Sequence, residues 1–62
     1  MTGAEFKAAV TALGLTQRAF AARFDVLPGT VSRWVQEHRA VPAWVPAILE
    51  MLAEEQSSAR RG

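Results

Sequence analysis

The residues of this chain whose types and spacing could do chemistry are arginines, amides and hydroxyls rather than acids, nucleophiles or metal ligands. Arg18, Arg23, Arg33 and Arg39 fall between Gly14 and Ala40, where only Asp25 and Glu37 oppose them. Gln17, Ser32 and Gln36 are interleaved with them. A guanidinium is a rigid fork of donors that fits phosphate oxygens, so this mildly basic stretch could face a polyanion. From Pro42 to Ala59 the sign reverses, with Glu50, Glu54 and Glu55 and no basic residue. One half of the chain could meet a polyanion while the other faces away or meets a partner. On charge alone, with a net charge of only +1, ordinary solvated surface fits equally well.

Bond-making chemistry has little to work with. There is no cysteine and a single histidine, His38, so neither a disulfide framework nor a Cys-based zinc site is available, and no metal or cofactor is expected. No Ser/His/Asp or Cys/His arrangement and no phosphate-cradling glycine loop occurs. The pair Glu54-Glu55 falls near a helix end rather than beside a pocket. Sixty-two residues make one domain at most, burying only about 60% of the surface exposed when unfolded. The expectation is a protein that is not an enzyme and has no small-molecule effector. No apolar run approaches the ~20 residues that span a bilayer, and no secretory leader is evident. No membrane association is therefore expected, and the cytoplasm is the expected location.

Helical periodicity must position the polar residues. Thr2-Gly3-Ala4-Glu5 fits a capping box, Phe6, Val10 and Leu13 recur at helical spacing, and Gly14 can take the left-handed conformation that closes a helix. A first helix is predicted over Gly3 to Leu13. Thr16 caps a second, Gln17 to Phe24, with Phe20, Ala21 and Phe24 inward and Arg18 and Arg23 on the wet side. Asp25 tolerates the left-handed turn that ends it.

The stretch "DVLPGTVSRWV" admits a hairpin at Pro28-Gly29 or a helix start. Val31, Trp34 and Val35 recur at three and four rather than two, and Pro28 suits a first helical position, so a third helix is predicted from Pro28 to Gln36 or Glu37. With Val31 and Trp34 against the core, Gly29 and Arg33 point away, flanked by Ser32 and Gln36 on one side and Thr30 on the other. Gly29 lowers helix propensity and so needs a compensating reason. A fourth helix opens in "VPAWVPAILEML", with Pro42 and Pro46 in or near its first turn. Its residues Trp44, Val45, Ile48, Leu49, Met51 and Leu52 cover an arc of about 160°, wider than one core needs. Part of that arc is expected to lie exposed in a single chain. Residues 1–56 form the expected domain and 57–62 a flexible polar tail.

"LTQRAFAARFDVLPGTVSRWV" resembles the Cro/C1, or XRE-type, helix-turn-helix repressors through Thr16, Gln17, Phe20, Ala21, Val26, Val31, Ser32, Arg33 and Trp34. The resemblance continues through "HRAVPAWVPAILEML" and covers about residues 6 to 54. Four positions depart from the pattern: Asp25 and Glu37 where glycine is usual, Leu27 where a serine or threonine cap is common, and Val35 where glutamate is frequent. The resemblance implies an all-α, compact lambda-repressor-like helix-turn-helix domain of four or five helices, whose third helix enters the major groove.

Carried over residue by residue, the resemblance makes Pro28, Gly29, Ser32 and Arg33 the base-contacting set, with Arg33 reading guanine. Gln17 becomes a phosphate contact, joined as candidates by Thr16, Arg18, Thr30, Gln36, His38 and Arg39. Thr16 is better accounted for as a cap, and Trp34 as core rather than as a stacking platform. The implied function is that of a sequence-specific double-stranded DNA-binding transcription regulator. It would be a repressor acting as a homodimer on a palindromic operator, and nucleoid-associated when bound. Trp44, Val45, Leu49 and Leu52 are the candidate dimer contacts. The alternative is a protein-binding module that kept the helix-turn-helix fold.

Overall fold

The computed structural model describes residues 1–61. Four helices follow one another: α1 (Gly3–Ala12), α2 (Gln17–Arg23), α3 (Pro28–Val35) and α4 (Trp44–Arg61). The chain is all-helical, with no strand among the described residues.

Each of the first two helices starts where a side chain satisfies its free backbone donors. Thr2 Oγ1 accepts from the Glu5 N–H at 3.1 Å, and Glu5 Oε1 accepts from the Thr2 N–H at 2.8 Å, completing the capping box. Thr16 Oγ1 accepts from the Ala19 N–H at 3.0 Å. The first three helices end alike. Gly14, Asp25 and Glu37 adopt left-handed φ values of 76°, 55° and 60°, and the N–H one residue further on folds back into the last turn. Leu15 donates to the Val10 carbonyl, Val26 to Ala21 and His38 to Arg33, at 3.1, 2.8 and 2.9 Å. This is the six-to-one bond of the Schellman closure, made at all three ends with a glycine at only one of them.

Phe6, Val10, Phe20, Ala21, Val31, Trp34, Val45 and Leu49 form the buried core, with contributions from every helix. Phe6 meets Phe20 edge-on at 5.2 Å and Trp34 edge-on at 5.5 Å between centroids. Such pairs each contribute about 0.5–1.5 kcal/mol beyond their buried area. The α1–α3 contact is close enough that Gly3 has no room for a side chain: a Cβ would overlap the carbonyls of Trp34 and Val35. Glu37 Oε1 also accepts from the Gly3 N–H at 3.3 Å. The residue that closes α3 thereby also satisfies a donor at the start of α1.

Helix α4 begins later and runs longer than expected. Pro42 precedes it, its carbonyl accepting from the Val45 N–H at 3.1 Å, while Pro46 is its third residue. Only Pro46 therefore uses the tolerance of a first helical turn. The helix continues to Arg61, through residues 57–61 of the expected polar tail; Gly62 lies outside the described residues. Every residue from 53 to 58 is exposed. Gln56 Nε2 donates to the Leu13 carbonyl at 2.8 Å, tying this half of α4 to the end of α1. No described helix is long and apolar enough to cross a membrane.

Candidate nucleic-acid interface

Helix α3 is held from behind. Val31 and Trp34 are buried, and α2 forms the most extensive helix pair of the fold with it. At 100° per residue, Gly29 and Arg33 lie about 40° apart around the helix and Gly29 and Gln36 about 20° apart. All three are exposed. They form the outward line of α3, opposite the Val31–Trp34 side. Ser32 flanks it half-buried, and Pro28 stands exposed at its head. The expected base-contacting residues thus share one connected surface, and Gln36, expected only at its edge, lies along its centre.

Gly29 is not there for the fold. It is absent from the left-handed positions, and a Cβ built on it would meet nothing within 4 Å. Pro28 has no N–H to offer and Leu27 supplies no side-chain cap. The Thr30 N–H already donates to the Leu27 carbonyl at 2.9 Å. Among the described residues nothing accepts from the Gly29 N–H, which sits at the helix start where a backbone donor favours an anionic or lone-pair partner.

The candidate phosphate contacts divide by place. Thr16, Gln17 and Arg18 lie together at the start of α2, with Thr16 and Arg18 exposed and Gln17 half-buried. The Thr16 oxygen is engaged as the cap, leaving its hydroxyl hydrogen able to donate outward. Thr30 is half-buried on the flank of α3. His38 and Arg39 lie at the opposite end of α3 from Pro28, about 12 Å away along an eight-residue helix. Arg39 there lines a cleft of about 260 Å³ with Met1, Gly3, Trp34 and Glu37. The fold does not bring it to the head of α3. Arg23 is committed elsewhere: its guanidinium lies 5.8 Å from the Phe24 ring centroid, over a half-buried aromatic.

Of the four candidate dimer contacts, Val45 and Leu49 are core residues of their own chain, 0% and 4% exposed, and present no surface to a second one. Leu52 is half-buried and Trp44 is 44% exposed. The exposed edge of the α4 arc is instead Trp44 with Met51, which is 59% exposed. The helical arc contained Met51 but could not show which edge turns outward, because that depends on how α4 docks. Leu27, at 75% exposure, is the other residue the sequence left without a role, and its signal was an apolar residue at a cap position.

No family model, curated protein or solved structure matches this chain.

Proposed function

We propose that this chain is a sequence-specific double-stranded DNA-binding regulator of lambda-repressor-like helix-turn-helix type, with α2 as the bracing helix and α3 as the reading helix. The observation that carries this is Gly29. A glycine sits within a short helix where the backbone does not need it and no neighbour excludes a methyl group. It lies in line with the exposed Arg33 and Gln36. A bare backbone at that point gains nothing inside the molecule but lets a groove approach closely. Arg33 then supplies a bidentate match to guanine O6 and N7, giving about 1–3 kcal/mol of discrimination. Gln17, Arg18 and the first N–H groups of α2 would position the helix against phosphates.

The protein would act without chemistry, as a homodimer on two half-sites roughly 34–36 Å apart, repressing by occupying a promoter in the cytoplasm. A protein-binding module is favoured instead by the apolar edge of α4, which a dimer contact would equally use, and by the exposed Leu27.

Selection from random-sequence DNA followed by binding titrations at several salt concentrations tests the proposal. Wild-type protein should select a defined site with affinity falling steeply as salt rises. Arg33→Ala should lose discrimination at one base pair, whereas Gln17→Ala should weaken all sequences more evenly. Absence of salt-dependent DNA affinity, or unchanged specificity in Arg33→Ala, would overturn it.

A further inference from the structure

Leu27 is the residue of the α2–α3 turn that packing does not explain. Phe24 and Val26, the other apolar members of the turn, pack against the core, whereas Leu27 is largely exposed. It holds the N-cap of α3 with φ −66° and ψ 135° and makes no side-chain hydrogen bond to the helix. The other two described N-caps are threonines that do. At this one helix start the chain has an unhelpful cap and an exposed leucine, and two residues on it has a glycine that the fold does not use. Departures from local preference that bring no intramolecular gain, set side by side, indicate a surface shaped by something outside the chain.

A partner for this surface must offer an apolar spot beside hydrogen-bond acceptors. The major groove does so where the C5-methyl of thymine adjoins the O6 and N7 of guanine. Leu27 directly precedes Pro28 and Gly29, and all three are exposed at the head of α3. We infer that Leu27 is a specificity-determining residue that packs on a thymine methyl, next to the bases met by Gly29 and Arg33. The inference rests on the DNA-binding reading above and adds a requirement to it: the site must carry an A·T pair whose methyl faces the head of α3.

The test uses the intact protein and its selected site, with each thymine replaced singly by deoxyuridine, which removes only the methyl group. One replacement should weaken wild-type binding about fourfold, as expected for one lost buried carbon. Leu27→Ser should bind with unchanged salt dependence, be indifferent to that replacement, and melt about 4–8 °C higher because the new hydroxyl caps α3. Leu27→Ala should share the indifference without the higher melting temperature. Site-specific binding in which no thymine methyl matters, or in which Leu27→Ser remains sensitive to the same one, overturns the Leu27 assignment alone. Loss of all salt-dependent DNA binding by the wild type overturns the DNA reading with it.

Discussion

Two glycines near helix starts should respond oppositely to the same added methyl group. At Gly29 the methyl meets open space, so Gly29→Ala should raise stability by up to about 1 kcal/mol through better helix propensity. At Gly3 it meets the carbonyls of Trp34 and Val35, backbone atoms that cannot rotate away. Gly3→Ala should therefore destabilise by about 1–3 kcal/mol, the usual range for overpacking. Urea denaturation of the two variants checks both signs; equal effects would show that the α1–α3 contact is looser than described. Gly29→Ala should also weaken binding to the selected DNA site, so that folding and recognition move in opposite directions.

At the scale of elements, the ends of helices carry much of the specification. Glu5 is held below its ordinary value of 4.5 by accepting from the Thr2 backbone, reinforced by the Thr2 hydroxyl. A carboxylate whose folded value is depressed adds stability above its unfolded value and loses it as pH falls through the folded one. Thermal melts should thus show α1 losing support as pH falls from the ordinary value of 4.5 through the lower folded one, and Glu5→Gln should flatten that dependence while lowering the melting temperature near neutrality. A variant with the wild-type pH profile would remove the capping box from the account.

These ends were also the legible part of the fold. Thr2, Gly14, Thr16 and Asp25 act on residues within five positions of themselves, so spacing alone exposes them. Spacing locates the end of α3 only to within a residue or two, because Glu37 reaches its left-handed φ of 60° without a glycine to announce it. Its bond to Gly3 spans 34 positions and has no local signature. The same limit applies to α4, where an arc of apolar residues was visible but the inward assignment of Val45 and Leu49 followed from docking. At the candidate site the outward line of Gly29 and Arg33 was legible from the Val31–Trp34 spacing. The exposure of Leu27 was not, since an apolar residue in a turn as readily packs against the core, as the half-buried Val26 beside it does.

The described residues span 40 × 20 × 17 Å, with α4 running past the core and its Trp44–Met51 edge exposed. If that edge joins two copies, Met51→Glu should leave the stability of the monomer, measured at concentrations too low for association, within about 0.5 kcal/mol of wild type as for most surface changes, while removing the rise of melting temperature with protein concentration that a dimer shows. It should also shift sedimentation toward monomer and reduce affinity for a two-half-site duplex at least tenfold, leaving half-site binding intact. A variant that sediments as wild type would place the subunit contact elsewhere. The two tryptophans make such events separately observable. Trp34 is 3% exposed, while Trp44 touches it edge-on at 6.1 Å with its outer side in water. One indole is therefore a dry emitter that changes colour when the core opens, and the other is a wet emitter that shifts toward the blue when something covers α4. The chain carries two intrinsic fluorescent probes, and Trp44→Phe would leave the dry one to report folding by itself.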